Sequence, residues 1–282
     1  AWARIANLAS GDDEAINTAV GYFEKGERPD LAVIVLTENL PSVSDDATRA
    51  ELLAKLGGLR QQTGDALGAG EAFSESATLT KKASLWESAE KAFVTAEAWD
   101  QAATAVDERA QLTSDARPKA ALYATESDYL NRAGDEASAV LRLEQATELD
   151  PQNDEYAAAL EQRYRTGERV ADLVTYLLKR AEKLDDKSVR SGLRRRVATI
   201  QREELGDPDG ARATLTELLQ DGDDADALAW LADDAHGRGE FQDGVDYLAR
   251  LVKVSSEPAD KIANLMKQAD WTADGLGDDG PD

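Results

Sequence analysis

The chain has 282 residues, of which 42% are hydrophobic and 6% are aromatic, and its formal net charge is −24. So large a negative charge argues against nucleic acids and anionic membranes as general partners, because both are polyanions. The sequence contains no cysteine, which excludes disulfides, thiol catalysis and cysteine-ligated zinc, and it contains no apolar run of membrane-spanning length.

Pairs of amphipathic helices account for the apolar spacing along the chain. The chain opens in an apolar segment in which Trp2, Ile5 and Leu8 share one helical face, with no partner helix before it. The periodicity then predicts pairs near 12–25 and 29–40, 46–63 and 66–79, 81–96 and 99–113, 118–133 and 135–149, 153–166 and 168–184, 188–205 and 208–220, and 224–238 and 241–255, followed by a lone helix near 258–270.

Two segments within this pattern are unusual for helices. The run 31–36 is rich in β-branched residues, but the repeat period favours a buried helix there. Gly57 and Gly58 lie inside a predicted helix, where we expect them to allow close packing. No part of the sequence requires a strand, so we expect an all-α fold.

A turn signal separates the two helices of each pair and recurs at intervals of 33 to 39 residues. In most copies it is a glycine followed by an acidic residue. We expect the glycine to take the left-handed conformation that ends the first helix, and the acidic residue to cap or favourably charge the start of the second. The copies are Gly26-Glu27, Gly64-Asp65, Gly134-Asp135, Gly167-Glu168, Gly206-Asp207 and Gly239-Glu240, with Glu97-Ala98-Trp99-Asp100 as a variant.

Residues 134–153 form the clearest copy of the repeat. After the Gly134-Asp135 turn, Ala139 and Ala146 recur seven residues apart on one helical face, and Asp150-Pro151-Gln152-Asn153 ends the helix. The preceding helix places an aromatic, a small and an apolar residue on one face, namely Tyr123, Ser127 and Leu130. In its period, its turns and its small-residue positions, the chain resembles the tetratricopeptide repeat family.

This resemblance implies a right-handed α-solenoid of about seven antiparallel helix pairs. We expect a single array over residues 1–270, followed by a disordered acidic tail at 271–282. Because the sequence does not begin with methionine, we expect it to be a fragment of a longer chain, and we expect a cytoplasmic location.

The resemblance also implies a function, because members of the family bind extended peptides or helices in the groove lined by the first helix of each pair. Carried over to this chain, the candidate groove residues are Lys91, Asp128, Asn131, Asp154, Glu161 and His236. We therefore expect a non-enzymatic scaffold that binds a protein or peptide partner, and the mainly acidic groove suits a basic or neutral peptide. The alternative is a regulatory helical arm of a larger multidomain enzyme, such as a kinase, protease or transferase.

One segment has the opposite charge to the rest of the chain. Residues 179–202 contain nine basic residues against three acidic ones. The centre of this basic patch consists of Arg190, Arg194, Arg195 and Arg196. The patch could receive an acidic peptide, a phosphate or an acidic surface, or its arginines could pair internally with neighbouring acidic helices. Both interpretations are compatible with the sequence.

No catalytic or metal-binding motif is present. The single histidine, His236, cannot form a zinc site alone, and the sequence contains no phosphate-binding loop, dinucleotide fingerprint or nucleophile elbow. We therefore expect no cofactor and no metal. The expected partner is a protein or peptide, with neither nucleic acid binding nor membrane insertion. Self-association is a further expectation, with the acidic end of one copy on the basic patch of the next.

Overall fold

The computed structural model describes residues 13–275, and within that range it is all-α. The chain divides into two compact units, one extending through Leu160 and the other beginning at Glu161. The helices of the first unit are α1 (Asp13–Lys25), α2 (Pro29–Asn39), α3 (Asp46–Thr63), α4 (Ala66–Thr80), α5 (Ala83–Thr95), α6 (Trp99–Gln111), α7 (Ala116–Ala133) and α8 (Glu136–Leu149), with a 3-10 turn at Leu40–Ser42.

The division between the units falls inside α9 (Asp154–Thr166). The second unit continues with α10 (Val170–Lys183), α11 (Lys187–Glu203), α12 (Pro208–Asp221), α13 (Ala225–Gly237), α14 (Phe241–Val254) and α15 (Pro258–Gly275). The seven predicted pairs and the lone last helix are all present, so the prediction of an all-α array of tetratricopeptide-like helix pairs is confirmed. The β-rich run 31–36 lies within α2, and the predicted helix around Trp2 lies outside the described residues.

The predicted turn chemistry holds at four of the glycines. Gly64, Gly134, Gly206 and Gly239 have φ angles of +84°, +91°, +63° and +79°. After the first three of these turns, an aspartate caps the next helix by accepting a hydrogen bond from the backbone N–H three residues later, as Asp135 Oδ1 does from Ser138 at 3.0 Å. Glu240 makes no such side-chain cap.

At the other turns the left-handed residue is an acid, which at Gly26-Glu27 and Gly167-Glu168 corrects the prediction that the glycine takes this conformation. Glu27, Glu97 and Glu168 have φ angles of +54°, +54° and +56°. A side chain in this conformation crowds its own backbone, which costs about 1–2 kcal/mol per residue. The Gly-acid pair therefore marks the turns at Glu27 and Glu168 in the sequence, but it does not identify which residue takes the strained conformation. The turn at Glu97 has no glycine.

In the first unit, small residues admit the aromatic rings of the neighbouring helix. A Cβ atom on Gly57 would lie 2.7 Å from the ring of Phe73, and one on Gly70 would lie 2.5 Å from the ring of Phe93. Gly58, by contrast, faces open space. The close-packing prediction is therefore confirmed for Gly57 and wrong for Gly58.

The small-residue positions of the clearest repeat copy are also confirmed. Ala139 and Ala146 on α8 are fully buried, as is Ser127 on α7. The Ser127 hydroxyl donates a hydrogen bond of 2.7 Å to the carbonyl oxygen of Ala139. This contact is possible because a small side chain lets the two helices approach closely.

The core of the second unit is built mainly from leucines and closes on a tryptophan. Trp271 on α15 is 8% exposed and packs in a cluster with Leu228 of α13 and with Leu248 and Leu251 of α14. Since α15 continues to Gly275, the predicted boundary between array and tail at residue 270 falls inside a helix and is corrected. Residues 276–282 of the predicted tail lie outside the described residues.

Candidate partner-binding cleft

A cleft of about 650 Å³ lies in the first unit between α5 and α7, with the end of α6 at its base. Both walls belong to first helices of their pairs, which is where the sequence analysis placed the groove. Aliphatic groups, hydroxyls and charged groups of both signs share the lining. The lining residues are Ala83, Ser84, Glu87, Glu90 and Lys91 of α5, Arg109 of α6, Thr113 just after α6, and Pro118, Ala121, Leu122 and Thr125 of α7.

A partly buried ion pair fixes the base of the cleft. The carboxylate of Glu90, whose side chain is only 12% exposed, pairs with the guanidinium of Arg109. Its other oxygen accepts a hydrogen bond of 3.1 Å from the hydroxyl of Tyr129. Burial and the nearby Glu90 charge raise the pKa of Tyr129 to about 12, so the phenol remains a donor at neutral pH. One carboxylate thus connects α5, α6 and α7.

Aromatic contacts continue this network beyond Tyr129. The ring of Tyr129 stacks on that of Trp99, the first residue of α6, with 6.0 Å between centroids. The guanidinium of Arg132 lies over the Trp99 ring, 4.7 Å from its centroid. Because these contacts hold both walls and the base in place, the cleft is preorganised for a ligand.

The rim of the cleft carries an exposed ion pair. Lys91 donates a hydrogen bond of 2.6 Å to Glu87, and their side chains are 70% and 45% exposed. This hydrogen bond lowers the pKa of Glu87. Pairs exposed to this degree contribute only about 0.3–0.5 kcal/mol, so either partner can be exchanged for a charged group of a ligand at little cost.

The structure does not bring the six predicted groove residues together. Lys91 lines the cleft, and Asp128 and Asn131 are exposed on α7, one and two turns beyond Thr125. Asp154 is exposed at the first position of α9. Their role in binding stays a prediction.

The remaining two predicted residues make internal contacts. Glu161 is half-buried and forms an ion pair with Arg196 of the basic patch. The ring of His236 stacks on Trp271 with 4.2 Å between centroids and meets Phe241 edge-on at 5.3 Å. The imidazole therefore packs between α14 and α15, which differs from the groove position expected from the sequence.

The arginines of the basic patch are paired within the second unit. Arg190 Nη2 lies 2.7 Å from one oxygen of Asp221, and Arg194 Nη1 lies 2.7 Å from the other. Arg190 Nη1 also donates to the carbonyl oxygen of Leu184 at 2.9 Å. Since Asp221 is the last residue of α12, two guanidinium groups on α11 join the C-terminal end of that helix, where its dipole favours positive charge.

Three further arginines of the segment 179–202 also make contacts within the second unit. Arg195 Nε lies 3.6 Å from Asp224 Oδ2, Arg196 pairs with Glu161, and Arg202 lies over the ring of Trp230 at 5.3 Å. This is the internal pairing that the sequence analysis weighed against a docking site for an acidic partner. The patch therefore contributes to the packing of the second unit.

Several residues of the cleft could not be identified from the sequence. Glu90, Arg109 and Tyr129 lie on three different helices, 19 and 20 residues apart in sequence, and no motif links them. An aromatic hydroxyl and a charge that are partly shielded from water need partners, but which partners they find depends on how the helices pack. The only signal in the sequence was the family resemblance, which implies a groove lined by the first helix of each pair.

Glu126 is a second buried acid that the sequence analysis missed. It lies beside Thr125 on α7, with its side chain 5% exposed and its Oε1 atom 2.8 Å from Arg142 Nε of α8. Arg142 also pairs with Asp107 of α6 at 2.8 Å. Burial raises the pKa of Glu126 to about 7, and its Oε2 atom is buried without a hydrogen-bond partner.

Neither metal ligation nor membrane spanning is indicated in the part of the chain that the structure describes. Residues 13–275 contain no group of three or more His, Asp or Glu side chains arranged to hold a metal ion. None of the helices in the same range combines the length and the hydropathy needed to cross a bilayer.

No family model matches the chain, and no curated protein matches it. Among solved structures, it is similar to Naa15/Naa10 bound to HypK-THB, with 15% identity, a TM-score of 0.42 and coverage of 92% of this chain. The chain spans only 39% of the length of that match.

Two further solved structures come from bacteria. A tetratricopeptide repeat protein from Parabacteroides merdae matches with 10% identity and a TM-score of 0.35, covering 91% of this chain and 98% of the other. MamA from Desulfovibrio magneticus matches with 16% identity and a TM-score of 0.33, covering 63% of this chain and 100% of the other. With likeness this distant, the description of this chain as an array of tetratricopeptide-like helix pairs depends on its own helices and turns.

Proposed function

We propose that this chain is a non-enzymatic protein-interaction scaffold that binds a peptide or protein segment in the cleft between α5 and α7. The observation that supports this function best is the preorganised base of the cleft, where Glu90, Arg109 and Tyr129 connect three helices. A rigid site binds with less loss of conformational entropy than one that must order itself around the ligand.

The lining indicates what kind of partner fits. The cleft contains two acidic and two basic residues, whereas the whole chain has a net charge of −24. A locally balanced surface does not repel an acidic or a neutral segment. The hydroxyl of Thr113 donates to the carbonyl oxygen of Arg109 at 2.8 Å, and that of Thr125 donates to the carbonyl oxygen of Ala121 at 3.0 Å. Both hydroxyl oxygens can still accept from peptide N–H groups.

Apolar contact would come from the α7 wall. Pro118, Ala121 and Leu122 line the cleft beside the hydroxyls, so an aliphatic side chain of a bound segment can be desolvated there. The exposed Glu87–Lys91 pair at the rim can then exchange one partner for a charged group of the ligand. A short segment of mixed sequence, with an aliphatic residue near a charged one, meets these requirements.

A matched pair of tryptophan substitutions tests the proposal. Ala121 lines the cleft, whereas Ala137 lies on α8 outside the lining, and both alanines are exposed. Peptides selected from a displayed random library against the wild-type chain should bind Ala137→Trp with unchanged affinity. They should bind Ala121→Trp at least tenfold more weakly, because the indole fills the cleft. Equal affinity for all three proteins would overturn the assignment of the site.

A further inference from the structure

A second cavity of the first unit, the α3 cavity, has a volume of about 470 Å³ and lies along one side of α3. It is flanked by the end of α2, with the 3-10 turn that follows, and by one face of α4. These flanking helices are second helices of their pairs, whereas the cleft lies between two first helices. The two cavities share no lining residue, so each can be blocked without changing the other.

The floor of the α3 cavity is apolar. Leu53 and Leu56 of α3 and Ala72 of α4 line it, and all three belong to the buried core of the first unit. Leu40 of the 3-10 turn extends the same surface. An aliphatic group that enters the cavity is therefore removed from water against side chains that are already packed in place.

The two arginines of the α3 cavity are neutralised by acids of this chain. Arg49 and Arg60 are 11 residues apart on α3, which places them on one helical face. Arg49 pairs with Glu75 of α4. Arg60 Nε lies 3.6 Å from Asp65 Oδ2, and Arg60 Nη1 donates to the carbonyl oxygen of Gly68 at 2.7 Å. Neither guanidinium group therefore offers an uncompensated positive charge to an anionic ligand.

Glu71 is the charged residue of this lining that has no counter-ion among the described residues. It is exposed on α4, about one turn before Glu75, and forms neither an ion pair nor a side-chain hydrogen bond within residues 13–275. The α3 cavity thus combines an apolar floor with one uncompensated negative charge at its edge. The net charge of the whole chain, −24, adds a long-range attraction for cations.

We propose that the α3 cavity binds a basic side chain, lysine or arginine, from a segment of a partner protein. Such a side chain has an apolar stem and a charged head, and these match the two parts of the cavity. The stem packs over Leu53 and Leu56, and the head pairs with Glu71. An acidic side chain would instead bring a second negative charge to Glu71. The proposal does not depend on the cleft, because the two linings are separate.

A peptide selection with the cleft blocked tests the proposal. A displayed random library is selected against the full chain carrying Ala121→Trp, so that the recovered peptides bind outside the cleft. We expect these peptides to contain lysine or arginine. Adding Thr37→Trp, which places an indole in the α3 cavity, should weaken their binding by about tenfold or more. Thr104→Trp, at an exposed position of α6 outside the lining, is the matched control and should leave the affinity unchanged.

A matched pair of charge substitutions separates the role of Glu71 from general attraction, since any basic peptide is drawn to so acidic a chain. Glu71→Gln should weaken binding by about fivefold or more, whereas Glu51→Gln removes one exposed charge of α3 outside the lining and should have no effect. Circular dichroism should show wild-type helix content in every variant.

Three outcomes of these experiments would overturn the proposal. The first is a selection that yields no peptide, or only peptides without a basic residue. The second is unchanged affinity when Thr37→Trp is added. The third is an equal loss of affinity in Glu71→Gln and Glu51→Gln, which would mean that basic peptides are attracted by the overall charge of the chain and not by the α3 cavity.

Discussion

Glu126 and Arg142 form an ion pair of 2.8 Å between α7 and α8, although the second carboxylate oxygen of Glu126 is buried without a partner. Burial penalises the charged form, so the pKa of Glu126 rises from its ordinary 4.5 to about 7. Asp107, which shares Arg142, adds to this effect through its negative charge. The pair therefore makes the stability of the first unit depend on pH.

The sign of this dependence follows from proton linkage. Between about pH 4.5 and pH 7 the unfolded chain releases the Glu126 proton while the folded chain retains it. The contribution of this group to stability is thus greatest below pH 4.5, falls as the pH rises through that window, and is constant above it. Glu126→Gln removes the titration while its amide oxygen can still accept from Arg142.

We expect Glu126→Gln to be more stable than the wild type by about 1–3 kcal/mol at pH 8, with the difference shrinking towards zero at pH 4.5. Urea unfolding of both proteins at pH 4.5 and pH 8 measures this difference in the free energy of unfolding. A variant that is destabilised equally at both values would show that the charge on Glu126 is fully compensated by Arg142.

Gly57 and Gly58 are adjacent on α3 but should respond to alanine in opposite directions. A Cβ atom at Gly57 would lie 2.7 Å from the Phe73 ring, so Gly57→Ala should destabilise the chain by about 1–3 kcal/mol through overpacking. Gly58 faces open space, so Gly58→Ala should stabilise the chain by about 0.5–1 kcal/mol through helix propensity. Thermal unfolding of the two single variants measures both effects, and a change of the same sign in both would contradict the packing described for α3 and α4.

Glu168 occupies a left-handed conformation with φ of +56° between α9 and α10. Glycine adopts this conformation without a steric cost, so Glu168→Gly should stabilise the second unit by about 1 kcal/mol. Gly134→Ala is the matched control, because Gly134 has φ of +91° and alanine there should cost a similar amount. Denaturant midpoints of the two variants measure both changes in stability. A loss of stability in Glu168→Gly would mean that contacts of the glutamate side chain stabilise the fold by more than the backbone strain costs.

Asp221 neutralises two guanidinium groups, those of Arg190 and Arg194, which are 18% and 13% exposed. Asp221→Ala should therefore lower the urea midpoint of the second unit, because the guanidinium groups of Arg190 and Arg194 lose their shared partner. Lys183→Ala is the control, since Lys183 is exposed at the end of α10. Equal urea midpoints for Asp221→Ala and the wild type would indicate that the arginines are solvated and available to an external partner.

The sequence predicted helices well because their signals are local. Each helix boundary lies within a few residues of its predicted position, since an apolar periodicity and a glycine-acid turn act over one pair at a time. The repeat period correctly predicted a helix even for the β-branched run 31–36, which lies in α2. The boundary at residue 270 was wrong because Trp271 packs on α13 and α14, which are distant enough in sequence that no local pattern records the contact.

The functional residues were much harder to predict. Lys91 was identified by its place on the first helix of a pair, but Glu90, one residue earlier, was missed although it fixes the base of the cleft. Its partners lie on two other helices, and their pairing depends on the distance between helix axes. The pairing of the arginines at 190–196 likewise depends on where α12 ends, because Asp221 is its last residue. From the sequence, internal pairing was only one of two alternatives.

Amide hydrogen exchange in the presence of a selected peptide shows whether the partner binds between α5 and α7. We expect added protection in residues 83–91 and 118–125, with no change in α11 or α14. Protection confined to α11, around the arginines at 190–196, would instead place the binding site on the basic patch and overturn the proposed function.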